Sequence, residues 1–422
     1  MQTNSPSIAL DDRYVAHTYG RLPVTFATGT GVVLTDDSGA EYLDVLAGIG
    51  SVSLGHAHPA LVSALTDQAQ RLWQVGNYFY DEHRGELARR LSNMLATTTD
   101  ETGTRTGDTG TVWRTFFANS GAEANEGAIK FARRWGEKNL GGATGIVTAR
   151  KSFHGRTLAT LSATGQDVFH KSFLPLPEGF CSVPLNDFDA LVAAIDEPPT
   201  TCGPVCAIML ECIQGEGGVW PADLDYLRNV SALCRERGLM LVIDEVQTGF
   251  CRTGAPFSFQ RAGIEPDVVA MAKGIAGGFP MGAVAAREEV AQLLVPGDHG
   301  STFGGNALAC AVGLACVRTM EECDVAGHAR EAGEHLAARL QSLPHVVEVR
   351  GAGLMRGAQL DVPIATPLVE QALSLGDRGR RGLVLNHVGD SILRFLPPLV
   401  VSNDQIDEMA DSLELLIGEL AR

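Results

Sequence analysis

The chain has 422 residues, 45% of them hydrophobic and 20% charged, an ordinary globular balance with more length than one small core needs. Its 33 Lys and Arg against 50 Asp and Glu leave a net charge of −17, which repels nucleic acid and anionic membranes and excludes both as expected partners. The opening MQTNSPSIALDD lacks the basic-then-apolar pattern of a secretory signal, and nine cysteines with no CxxC pair fit free thiols in a reducing cytoplasm.

Along the chain, His56 and His58 in GHAHP have a metal-like spacing, but no Cys, Asp or Glu cluster accompanies them, so no metal site is expected. Thr97 to Gly110 is polar and rich in Thr and Gly and reads as an exposed loop. Trp113 to Ala118 is a short aromatic strand; after the turn NSGA, Ala124, Ala128, Phe131, Ala132 and Trp135 recur at helical spacing. Ile146 to Thr148 and Cys206 to Glu211 are further strands. Leu224, Leu227, Val230 and Cys234 mark a helix that Gly238 can end, before apolar strands at Leu239 to Ile243 and Val268 to Met271. Runs that are apolar throughout suit strands covered on both faces. The expected fold is therefore α/β, a doubly wound, mostly parallel sheet. The longest apolar stretch, Ala307 to Val317, is far short of a membrane span. The remainder mixes helices with strand-like VVEVRG, QLDV and LRFLPPLVV, an α+β pattern. GAGLMRG (Gly351 to Gly357) runs into a strand rather than a helix, so it is not a dinucleotide loop. The expected division is a large domain over 61–307 and a small α+β domain over 308–422, with residues 1–60 packing beside the latter.

In such sheets ligands sit beyond the carboxyl ends of the strands, where this sequence places Asn119 with Ser120, Glu211, Asp244 with Glu245, and Lys273. Lys273 follows a buried strand, and partial desolvation would make its amine a nucleophile or Schiff-base former. Taken alone, a lysine reaching to the surface is the commoner case. Asp244 ends LMLVID on the same rim and could hold a proton on a pyridoxal ring nitrogen; alone, a helix cap or ion pair would explain it. Ser120, Gly121 and Ala122 open a helix whose free N–H groups and dipole favour a phosphate, although strand–SGA–helix by itself is a weak signal. The three together point to pyridoxal 5'-phosphate.

FFANSGAEANE, FHGRTL, ECIQGEGGV, VIDEVQTGF, AMAKGIAGGFPMGA and GSTFGGNALAC, in this order, resemble the class III (ω-amino) aminotransferases, and most of all their acetylornithine branch. The likeness runs from YGRLPV to LRFLPPLV, nearly the whole chain. It implies the pyridoxal-phosphate fold type I and a role for each matching position. Lys273 would bond to the cofactor and later shuttle the substrate proton. Asp244 would bind the pyridine nitrogen, Gln247 would lie near the phenolic oxygen, and Phe153 would stack on the ring. Ser120, Gly121 and Ala122 would hold the phosphate, and Thr302 would reach the phosphate of a neighbouring subunit, so the family's shared active sites need a homodimer. Arg156 and Arg394 would grip substrate carboxylates, with Tyr19 helping Arg156. Glu216 would pair with Arg394 while an ω-amine donor is bound and release it when glutamate or 2-oxoglutarate arrives.

Ornithine aminotransferases carry a tyrosine near the free α-amino group of ornithine, at the position aligned here with Ile49. Ile49 offers no polar partner, which favours a donor whose α-nitrogen is acylated and uncharged. The expectation is a cytoplasmic enzyme that moves the δ-amino group of N-acetylornithine to 2-oxoglutarate, as in arginine biosynthesis. Open alternatives are a succinylornithine, ornithine, 4-aminobutyrate or acyl-lysine donor, and a glutamate-semialdehyde aminomutase. A degenerate binding protein is opposed by the joint presence of Lys273, Asp244, Arg156 and Arg394.

Overall fold

The computed structural model describes residues 5–421; residues 1–4 and 422, which the expected domain limits include, lie outside it. A seven-stranded sheet forms the centre, in the order Trp113–Ala118, Gly282–Arg287, Val268–Met271, Met240–Asp244, Val205–Leu210, Gly145–Ala149 and Phe180–Val183. All strands run parallel except Gly282–Arg287, which is antiparallel to both neighbours. The alternation of burial explains the continuous apolar runs. Ile208, Leu210, Leu241, Ile243, Val269 and Met271 join one core, while Ala207, Met209, Met240, Val242 and Val268 join another on the opposite face.

The helix Gly121–Asn139 covers the second face with Ala128, Ile129, Phe131 and Ala132. The helix Leu224–Arg237 covers the first and stops at Gly238, whose φ of 66° only glycine adopts freely. The helix Ala307–Glu322 packs on Pro59–Ala69, on Arg84–Ala96 and on the short turn Lys273–Ala276. Among the described residues no helix is long and apolar enough to cross a membrane.

Two four-stranded sheets flank this core. Phe26–Thr30, Val33–Asp36 and Glu41–Asp44 form one, completed by a strand from the far end of the chain, Gly382–Val384, which pairs parallel with Glu41–Asp44. The other runs Val346–Ala352, Met355–Leu360, Ile392–Phe395, Asn386–Val388, all antiparallel.

The Thr97–Gly110 stretch is a hairpin rather than the expected open loop. Thr97–Thr99 pairs with Arg105–Asp108, and the Asp100 carboxylate accepts from the N–H groups of Thr102 (3.0 Å) and Thr104 (3.0 Å) to close the turn. β-branched threonines suit a half-buried strand as well as a loop, and Thr97 and Thr99 face inward.

Candidate active site

Parallel strands deliver their C-terminal residues to one rim, and here they open on a cavity of about 370 Å³, within the range of small-ligand sites. Ser120, Gly121, Ala122, Phe153, Arg156, Glu216, Asp244, Gln247 and Lys273 line it. Nine of the twelve expected site residues therefore converge. Of the other three, Arg394 reaches the lining through Glu216; Thr302 and Tyr19 are exposed and do not line the cavity of this one chain.

Lys273 sits at the end of Val268–Met271 in a turn with φ of 45°. It keeps part of its surface open to the cavity, and its amine donates no hydrogen bond among the described residues. Loss of solvent is the main cause that lowers its basicity; Arg394 adds to this, while Glu216, Asp244 and Glu211 oppose it. That direction suits an amine meant to attack a carbonyl.

Asp244 is buried and fully engaged. Its Oδ2 accepts from Asn125 Nδ2 (2.7 Å) and His154 Nδ1 (2.8 Å), and its Oδ1 accepts from the Val246 N–H (2.9 Å). Burial alone would lower His154, but the hydrogen bond and charge of Asp244, with help from Glu211, override it and raise the imidazole. Glu211 is raised as well, but chiefly by burial. Burial, with repulsion from Asp244 added, lifts its carboxyl to about 8 against the pull of His154 and the Phe153 N–H (3.0 Å). Sequence reading did not assign site roles to Asn125, His154 or Glu211. A buried Asn on the apolar face Ala124–Ala128–Phe131 was the available signal, because a polar group there must have a partner.

Ser120 caps the helix Gly121–Asn139 by accepting from the Glu123 N–H (3.2 Å). That leaves the first N–H groups of the helix without intrahelical acceptors, a ready anion cradle. A Cβ on Gly121 would stand 2.7 Å from Val246, so this approach needs glycine. Opposite, Arg394 is 2% exposed; its Nη1 donates to Glu216 Oε1 (2.6 Å) and its Nε to Asn386 Oδ1 (2.9 Å). Burial would raise Glu216, but the charge and hydrogen bond of Arg394 outweigh it and hold the carboxyl low. Gln247 donates to the same Glu216 oxygen (3.2 Å) and leaves its own buried Oε1 without a partner. Among the described residues Arg156 pairs with no carboxylate; its guanidinium lies over the Phe169 ring at 3.7 Å and the Phe153 ring at 5.3 Å. His56 is held by Asp44 (2.7 Å), and no metal-binding cluster occurs among the described residues.

The family model for aminotransferase class-III matches residues 14–417. The chain belongs to this family. It is thus a pyridoxal-phosphate-dependent aminotransferase. It is 42% identical to an acetylornithine aminotransferase of Caldanaerobacter subterraneus subsp. tengcongensis, over 98% of this chain and 99% of that one. Among solved structures, the ornithine aminotransferase of Toxoplasma gondii superposes with a TM-score of 0.87 at 30% identity, covering 98% of this chain and 95% of that one. The acetylornithine aminotransferase of Elizabethkingia anophelis gives 0.81 at 30%, covering 98% of each chain.

The residues present fit the cofactor. An unbonded amine, a buried carboxylate, a helix start stripped of acceptors and the unsatisfied Gln247 Oε1 surround one cavity. They could hold, in that order, an aldehyde carbon, a ring N–H, a phosphate and a phenolic hydroxyl.

Proposed function

We propose that this aminotransferase takes the δ-amino group of N-acetylornithine and gives it to 2-oxoglutarate, forming N-acetylglutamate semialdehyde and glutamate. The observation that carries this reading is the Glu216–Arg394 pair. One pocket must serve a donor amine with no carboxylate beside it and then a keto acid with one. A buried arginine left alone in the first half-reaction would be costly, and Glu216 neutralises it. Arg156, whose guanidinium has no carboxylate partner among the described residues, is free to take the distal carboxylate of either substrate, a role that Tyr19, outside the cavity of this one chain, would assist.

Bound pyridoxal phosphate would supply the electron sink that stabilises negative charge on the substrate carbon. The chain supplies the rest. Lys273, whose basicity desolvation lowers, would hold the cofactor's aldehyde carbon and would carry the proton to and from the substrate carbon. Asp244, fixed by Asn125 and His154, would hold the proton on the ring nitrogen. Ser120, Gly121 and Ala122 would hold the phosphate, Gln247 the phenolic oxygen, and Phe153 would pack on the ring.

Ile49 supports the acylated donor. It lies two residues from the cavity-lining Ser51, is 42% exposed, and holds an uncommon left-handed backbone (φ 60°) for a β-branched side chain. It offers an α-ammonium no acceptor. The names of the sequence relatives favour the same donor, whereas the structural relatives include both donors at equal identity.

We further propose a homodimer in which Thr302 completes the partner's phosphate site. Tyr78, Phe79, Tyr80, Trp73 and Phe303 are exposed together with the Ser301–Gly304 turn that Asn77 holds, an apolar surface suited to a second copy. The nine free cysteines suit the cytoplasm.

A panel of amines mixed with the loaded enzyme tests the donor by loss of cofactor absorbance in single turnover. N-acetylornithine should react about 10²-fold faster than ornithine at low concentration, the cost of an unpartnered ammonium. Equal or faster reaction of ornithine would overturn the acyl assignment.

A further inference from the structure

Glu216 lies in a five-residue loop, Gly215 to Val219, that joins the two strands of a short ribbon, Ile213–Gln214 and Trp220–Pro221. Three features pin the far side of this loop to the sheet that carries Arg394. Arg350 donates from Nε to the Gly218 carbonyl (3.0 Å), and its guanidinium lies over the Trp220 ring at 3.7 Å. Val219 is fully buried, with φ of 58°, an unusual backbone for valine. Gly357 makes the notch that receives it, since a Cβ there would stand 2.9 Å from Val219 Cβ.

These contacts share one line of the sheet. Arg350 is opposite Gly357, Gly357 is opposite Arg394, and Arg394 is opposite Asn386. Residues directly opposite in antiparallel strands project from the same face. One row therefore presents an arginine at the Glu216 end of the loop, a gap in the middle, and a second arginine at the Gly218–Trp220 end. The two arginines differ in what they hold. Arg394 grips a side chain, which can be exchanged for a substrate carboxylate. Arg350 grips backbone and an indole, which no substrate replaces, and Glu348 fixes it from behind (3.0 Å).

We propose that Arg350, with Trp220, is the fixed anchor of the Glu216 loop. It is a positioning residue that returns Glu216 to Arg394 after each glutamate half-reaction and so sets the enzyme's discrimination between ω-amine and α-carboxylate substrates. This rests on the exchange of Glu216 for a substrate carboxylate argued above. With the anchor in place, Glu216 swings by side-chain rotation alone. Without it the loop moves as a whole, Arg394 stands unpaired more of the time, and selectivity for the ω-amine donor falls.

The test measures both half-reactions in single turnover, N-acetylornithine on the pyridoxal form and glutamate on the same form, for Arg350→Met, Arg350→Lys, Trp220→Leu and Glu216→Gln. The ratio of glutamate to N-acetylornithine specificity in Arg350→Met should rise about tenfold, the size of one lost charge-assisted hydrogen bond. Arg350→Lys, which keeps the charge but not the planar stack, should fall between. Glu216→Gln should move the ratio in the same direction. If Glu216→Gln shifts the ratio while the Arg350 and Trp220 variants slow both halves equally, the anchor is overturned and the exchange stands. If Glu216→Gln leaves the ratio unchanged, the exchange itself fails and the anchor with it. Should Arg350→Met not fold, Arg350→Lys and Trp220→Leu decide the same question.

Discussion

Replacing Asp244 by Asn removes one charge and almost no volume, and the structure gives the consequence in detail. The carboxylate receives three donors: Asn125 Nδ2, His154 Nδ1 and the Val246 N–H. An amide has one acceptor oxygen, so its NH2 faces the Val246 N–H in one orientation and both Asn125 and His154 in the other. A buried donor left without an acceptor costs about 1–3 kcal/mol, and the bond from His154 weakens as well, so the apo protein should lose roughly that much stability. The loss should depend on pH. In the native protein His154 is raised above its ordinary 6.5 by Asp244. Its protonation therefore stabilises the fold fully below 6.5, and this is lost as pH rises through the raised value. The variant lacks that contribution, so the gap in Tm between the two proteins should be widest near pH 5.5–6 and narrow in alkali. Turnover should fall by about 10²–10⁴-fold, the range for a group that holds a proton at a reacting centre. Thermal melts of the apo proteins across pH, with single-turnover rates of the loaded ones, make the measurement. A pH-independent gap would refute the His154–Asp244 linkage, and a rate within tenfold of the parent would refute Asp244 as the holder of the ring proton.

Lys273→Ala should fold and bind the cofactor without covalent attachment; borohydride treatment should then leave no cofactor on the chain, and any normal turnover contradicts the assignment. Arg394→Ala should weaken the glutamate half-reaction by about 10²-fold or more, and the N-acetylornithine half-reaction by much less, because only the first places a carboxylate at that site. Equal losses in stopped-flow traces would count against the pairing with Glu216. Glu211 is lifted to about 8 by burial, so in the fold its charged form is penalised above the ordinary 4.5, and the penalty is complete above 8. Glu211→Gln should therefore leave Tm unchanged near pH 4 and raise it progressively towards pH 8.5; a flat difference across that range would show that Glu211 does not titrate as described.

The central sheet was readable because burial on both faces leaves residues 240–243 and Val268–Met271 no polar side chain to blur them. The rim followed from topology, since parallel strands bring Asp244 and Lys273 to the same end. Phe180–Val183 and Gly282–Arg287 were not identified from pattern. The first is only half-buried at the sheet edge, and the second is so rich in Gly and Ala that its pattern carries no period. The partners of Asp244 were hidden for a different reason. Asn125 lies one turn inside a helix and His154 in a loop, and only the folded chain brings them to one oxygen. The anchoring row Arg350–Gly357–Arg394 was equally invisible, because strand register is a property of pairing rather than of any one segment.

The union of the first strands of the chain with Gly382–Val384 bears on how the protein is made. Until the ribosome has made Gly382–Val384, Glu41–Asp44 has an open edge and no partner to close it. A product released before that point would expose backbone donors and acceptors beside an intact cofactor sheet. Such fragments should gather into aggregates rather than persist as soluble half-enzymes, and a nascent chain has reason to keep a chaperone until Gly382–Val384 is in place.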